Sequence, residues 1–120
     1  MGNKEREKGA RGERMLRDVF RFHGFDKATR GFVWNHTSDV IGLPGIHVEA
    51  KFVEKLNVRT AMKQAEEEAE KRQDGIPTVF HKKSREPWLV TMKIDDWMKL
   101  YKAWEGEQSG REKNVREDDN

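Results

Sequence analysis

The chain of 120 residues has no cysteine, three prolines and one tyrosine, and its net charge is only +2. Without cysteine, disulfide frameworks and thiolate metal sites are excluded, and a reducing compartment suits the chain. No apolar run approaches the ~18 residues of a membrane span. The first residues are charged where a secretory leader needs an apolar segment. These absences predict a soluble, intracellular (cytoplasmic) protein with no membrane attachment. Net charge says little about partners, but its distribution says more. Residues 1–17 hold six Lys or Arg against three Glu. Such a segment suits an anionic partner such as nucleic acid, or equally a solvated helix face.

What is present is enough for one modest core. Charged residues make up 38% of the chain and hydrophobic ones 34%, yet four Trp and six Phe can anchor a single domain. In "ARGERMLRDVFRFHGF" the 3-4 spacing of Leu16, Val19, Phe20 and His23 predicts a helix that Gly24 closes. "GFVWN" (31–35) and "DVIG" (39–42) read as short strands, and "LPG" turns into a third, "IHVEAKF". Asn57 can cap a second helix, "VRTAMKQAEEEAEKR", with an inner stripe of Val58, Ala61, Met62, Ala65 and Ala69 and a stop at Gly75. "PTVFHKK" and "PWLVTMK" are two more strands, and a last helix begins at Asp95 or Asp96 and runs to about Trp104. Residues 105–120 are Gly and charged or polar residues, mainly Glu, Arg and Asp, with a single Val, and read as a disordered charged tail. The expected fold is α/β, a single domain over 1–104 with a mixed sheet between helices in the order αβββαββα.

The third strand raises the functional question. Ile46, Val48, Ala50 and Phe52 alternate onto one face, leaving His47, Glu49 and Lys51 on the other. Glu49-Ala50-Lys51 is the one acid-x-Lys triplet in the chain. Its i, i+2 spacing aims both side chains at one volume. Asp39 opens the preceding strand, which "GLPG" folds back beside the third, so two carboxylates can converge. Two oxygen ligands with open positions suit Mg²⁺, and a neighbouring lysine can orient or deprotonate a water, or neutralise charge on a phosphorus. The plain alternative is a cross-strand ion pair on a solvated sheet face. Glu13 continues the stripe of Leu16 and Phe20, so it faces the sheet, where an acid is costly without a cation or donor. Gln64 borders the apolar stripe of the second helix.

An acid in the first helix, an aspartate opening a strand, E-x-K on the next strand and a following helix resemble the PD-(D/E)xK nuclease superfamily. "KGARGERML", "SDVIGLPGIHVEAK" and "TVFHKKSREPWLVTMKIDDW" are most similar to the archaeal-type Holliday-junction resolvases and their bacteriophage relatives, over about residues 8–104. Ser38 stands where the superfamily's name places proline. The resemblance implies a restriction-endonuclease-like core and a Mg²⁺-dependent endonuclease acting on DNA, with Mn²⁺ substituting. By the same resemblance Asp39, Glu49 and the Ala50 carbonyl bind the metal, Lys51 is catalytic, Glu13 assists metal or phosphate positioning, and Gln64 matches a polar position on the following helix. A four-way junction is the implied substrate. A related nuclease acting on flaps, ends or duplex DNA, and a DNA-binding module without catalysis, are the alternatives.

Lys8, Arg11 and Arg14 on the first helix and Lys82, Lys83 and Arg85 between strands are the candidate phosphate contacts, although a soluble hairpin tip explains the latter three equally well. His23, His36, His47 and His81 lie on different predicted elements with no paired spacing, which argues against zinc, and His47 is expected at the solvent. In "IDDWMKLYKAW" the apolar residues Ile94, Trp97, Met98, Leu100, Tyr101 and Trp104 span about 160° of helix surface, more than one sheet needs. A homodimer is the expected use of the surplus, because paired incisions on a near-two-fold junction need two sites.

Overall fold

The computed structural model describes residues 2–31 and 38–118, with side chains over 3–31 and 38–111. In chain order the elements are α1 (Gly2–Phe22), β1 (Thr29–Arg30), β2 (Val40–Ile41), β3 (Ile46–Phe52), α2 (Val58–Arg72), β4 (Ile76–Lys82), β5 (Leu89–Thr91) and α3 (Ile94–Asp118). The strand expected over 31–35 falls, apart from Gly31, outside the described residues, as does His36.

β3 and β4 pair in parallel from Ile46↔Ile76 to Phe52↔Lys82, with α2 as the crossover between them. β5 then pairs antiparallel with β4, which makes the three-stranded sheet mixed. β1 and β2 form a separate antiparallel pair. The Asp39 N–H donates to the Val48 carbonyl at 2.9 Å, which moors the start of β2 against the free edge of β3. The chain is thus α/β, with β3 flanked by β4 on one edge and Asp39 on the other.

Alternation along β3 and β4 sends neighbouring side chains to opposite faces, and a helix covers each face. Leu16 and Phe20 of α1 pack with Val40, Val48 and Phe80, the Phe20 and Phe80 rings meeting edge-on at 5.2 Å. Ala61, Met62 and Ala65 of α2 pack on Val79. The Asn57 side chain caps α2 by accepting from Thr60 N–H at 3.1 Å. Gln73, at φ 53°, makes the left-handed cap at the other end, two residues ahead of the expected stop at Gly75.

The close approach of α1 to β3 depends on Gly12. A Cβ there would lie 2.6 Å from the Phe52 Cβ, so helix and strand touch backbone to side chain. Gly12→Ala gains about 1 kcal/mol of helix propensity but overpacks the contact at a cost of about 1–3 kcal/mol. The expected outcome is a melting temperature several degrees lower; an unchanged or raised one would show that α1 can shift freely.

α3 differs from expectation in length and in burial. It continues past Trp104 to Asp118, so residues 105–118 are helical rather than an irregular tail. Glu105 accepts from Ser109 and Glu107 pairs with Arg111 one turn on, and such i, i+4 contacts sustain a polar helix. Its apolar arc does not sink into the body: Ile94, Trp97, Met98, Leu100, Tyr101 and Trp104 are all exposed. No helix among the described residues is long and apolar enough to cross a membrane.

Candidate active site

Both faces of β3 are covered, and this changes what its polar residues are. Glu49 and Lys51 point to the α2 side, in register with Val79 and His81. Glu49 is only 5% exposed. Its Oε1 lies 3.5 Å from Lys51 Nζ, and Lys51 donates to Gln64 Oε1 on α2 at 3.1 Å. A solvated ion pair is therefore not the arrangement, because one partner is a buried carboxylate.

Asp39 comes to the same place from the strand edge. Its Oδ2 accepts from the Ala50 N–H at 2.8 Å, which locks the carboxylate between Glu49 and Lys51 in the chain. Burial, the charge of Glu49 and, more weakly, that of Glu13 push Asp39 from its ordinary 3.8 up to about 7, against the opposing Ala50 N–H and Lys51. Three acids thus crowd one edge of β3 with a single lysine among them.

Glu13 has its cation. Arg30, on β1, donates to Glu13 Oε1 through Nε at 3.0 Å and Nη2 at 2.8 Å. This answers the cost of an acid on the inner stripe of α1 and adds Arg30 to the surroundings of the site. No periodic signal marks Arg30, which sits on a two-residue strand.

His47 is not at the solvent. It is 1% exposed, beneath the same layer as Glu49. Its Nδ1 faces Asp74 at 2.8 Å to Oδ1 and 3.0 Å to Oδ2, while Ser38 Oγ donates to Asp74 Oδ2 at 2.8 Å. Its Nε2 lies 3.8 Å from Glu49 Oε2. Burial lowers His47, but the carboxylates of Glu49 and Asp74 outweigh it and raise it above its ordinary value. Strand alternation already puts His47 on the face of Glu49; Asp74, in the turn before β4, carries no such signal. His81 bonds Thr91 and His23 is exposed at the end of α1, so these two do not converge on His47.

The basic residues divide. Lys8, Arg11 and Lys82 gather over the Phe52 ring at 4.7, 5.3 and 5.4 Å, joining two stretches that are distant in sequence. Arg14 is exposed beside a shallow groove that it lines with Lys4, Lys8, Arg11 and one acid, Glu7. Lys83 and Arg85 are exposed on the β4–β5 turn. The cationic cluster begins one residue beyond Lys51.

No protein-family model matches the chain, and no curated protein matches it in sequence.

The raised Asp39 makes a pH prediction. Between about pH 4 and 7 the folded chain holds a proton that the unfolded chain has released. The stability from this group is present below its unfolded value and is lost as pH rises through about 7. Asp39→Asn keeps an acceptor for Ala50 N–H and removes the charge. It is expected to be more stable than the parent at pH 8, on the order of 2–4 kcal/mol, with the gap closing toward pH 4. Denaturant melts at the two pH values test this, and a gap that does not change with pH would refute it.

Proposed function

We propose that this chain is a Mg²⁺-dependent endonuclease that hydrolyses DNA phosphodiesters, with a four-way junction as substrate. The observation that carries the reading is the convergence of Asp39, just before β2, and Glu49, on β3, beside Lys51. Among the described residues no group of three or more His, Asp or Glu side chains is arranged to hold a metal alone. The proposed donor set needs only two carboxylates, with the Ala50 carbonyl as third ligand. Hard oxygen donors and unmet negative charge, seen in the raised Asp39, fit a hard divalent cation that keeps waters for substrate phosphate.

When bound, the metal supplies Lewis acidity and a water of lowered pKa. The chain's own residues do the rest. Lys51, steadied by Gln64 and next to Glu49, is placed to orient the attacking water or to neutralise charge building on the phosphate oxygens. Lys8, Arg11 and Lys82 hold the neighbouring backbone phosphates, with Arg14, Lys83 and Arg85 flanking them. Glu13 and its partner Arg30 stand at the same edge to position metal or phosphate.

Opposed incisions call for two sites in fixed relation. A homodimer through the exposed apolar arc of α3 supplies them, since among the described residues α3 packs extensively on no other element of its own chain. Cleavage assays on labelled four-way junction, flap and linear duplex, with Mg²⁺, Mn²⁺, Ca²⁺ and chelator, test the reading. Expected are cuts in the junction with Mg²⁺ or Mn²⁺ only, binding that weakens steeply with salt, and dimer mass by light scattering. Cleavage of flap or duplex in preference to the junction would move the substrate assignment. No metal-dependent cleavage of any DNA would overturn the proposal.

A further inference from the structure

We infer that Asp74, acting through His47, is a positioning device that fixes which oxygen of Glu49 is offered to the metal. The inference rests on the nuclease reading above and extends it to three residues, Ser38, His47 and Asp74, that the acid–acid–lysine set does not include.

The hydrogen bonds leave one arrangement for the imidazole. Ser38 Oγ spends its proton on Asp74 Oδ2. Asp74 is a carboxylate and can only accept, so Nδ1 of His47 must be the donor across the 2.8 and 3.0 Å contacts. With Nδ1 tied to Asp74, the ring plane is set and Nε2 is aimed at Glu49. Nε2 is the one buried side-chain nitrogen or oxygen without a hydrogen-bond partner among the described residues. A buried polar atom left unpaired gives up its hydration with no bond in return, so it is seldom kept without use.

The 3.8 Å gap to Glu49 Oε2 says what the use is. Glu49 is pulled two ways, with Oε1 toward Lys51 at 3.5 Å and Oε2 toward His47. A small rotation of the carboxylate closes the second gap to hydrogen-bond length. With the ring protonated on both nitrogens between the Asp74 and Glu49 carboxylates, Nε2–H donates to Oε2, and Oε1 is left free to serve as a single-oxygen ligand beside Asp39. Ser38, Asp74 and His47 come from three separate segments, so their mutual bonds also tie the edge before β2, the turn before β4 and β3 into one frame around Glu49. This gives Ser38 a role that a proline, with no hydroxyl, does not fill.

A test that does not rely on cleavage uses Mn²⁺ binding to the DNA-free protein, followed by loss of the free-ion paramagnetic resonance signal. Wild type, Glu49→Gln, Asp74→Asn and His47→Gln are compared, with circular dichroism as the check on folding. Asp74 is half-buried in a turn, so Asp74→Asn decides the matter if His47→Gln does not fold. The expected result is Mn²⁺ affinity about 10–100-fold weaker for Asp74→Asn, the usual cost of removing a partner behind a metal ligand. In parallel, ¹⁵N spectra of the wild-type imidazole should show Mg²⁺ shifting Nε2 while Nδ1 stays on Asp74. Folded Asp74→Asn with wild-type affinity, beside a Glu49→Gln that has lost binding, would overturn this inference and leave the nuclease reading standing. Wild-type protein with no binding that depends on Glu49 would overturn both.

Discussion

Glu49→Gln is expected to abolish DNA cleavage while leaving junction binding at least as tight as in the parent. Glu49 is one of only two carboxylates that converge on the proposed metal, and an amide of the same shape is a far weaker ligand. Lewis-acid stabilisation of the transition state is worth several kcal/mol, so the rate should fall by about 10³-fold or more. Binding persists because Lys8, Arg11 and Lys82 sit around Phe52, away from the α2 face to which Glu49 points. Fold should survive as well. The charge of Glu49 is the second-largest cause of the raised Asp39, after burial, so its removal relieves repulsion in a crowded edge. Single-turnover rates in saturating Mg²⁺, with binding measured in Ca²⁺, check the outcome. Turnover within about tenfold of wild type would remove Glu49 from the site.

Lys51→Ala is the second variant with a large effect, and it separates catalysis from structure. If Lys51 neutralises charge in the transition state, its loss should slow cleavage by about 10²–10³-fold. A surface pair would cost only ~0–1 kcal/mol of stability when broken. Here the partner is the buried Glu49, and Gln64 Oε1 also loses its donor, so about 1–3 kcal/mol is the expected cost. The double variant Lys51→Ala with Glu49→Gln removes both buried charge and missing partner. It should recover most of the stability and none of the activity. A double variant that melts no higher than Lys51→Ala would mean that the stability loss has another source.

Much of the site was legible because strand alternation is a strong signal. The period of two in "IHVEAKF" separates Val48, Ala50 and Phe52 from His47, Glu49 and Lys51, and the structure keeps that division. Alternation does not say whether a face is wet. The polar face lies under α2, whose alanines allow a close approach, and so His47 is buried where solvent was expected. Asp74 and Arg30 were invisible for a different reason. Each reaches the site through long-range packing of a short segment, the turn into β4 and a two-residue strand, where local pattern carries no information. The body of α3 misled through composition: residues 105–118 lack an apolar stripe yet are helical, and over 105–111 salt and hydroxyl pairs one turn apart support the helix. The proposed nuclease activity rests on the chemistry of the converging residues.

The solvent-facing arc of α3 also decides how the protein will look to a fluorimeter. Trp97 and Trp104 are about half exposed and flank Tyr101, with ring centroids at 5.3 and 5.8 Å, while Trp88 lies partly inside. Two of the three described indoles therefore emit from water, and the emission of the lone native chain should already be red-shifted. Denaturant will then change colour little while it melts the sheet. Contact between two α3 helices would instead strip water from those rings and move the emission to the blue as concentration rises, so the same light that reports poorly on unfolding reports directly on assembly.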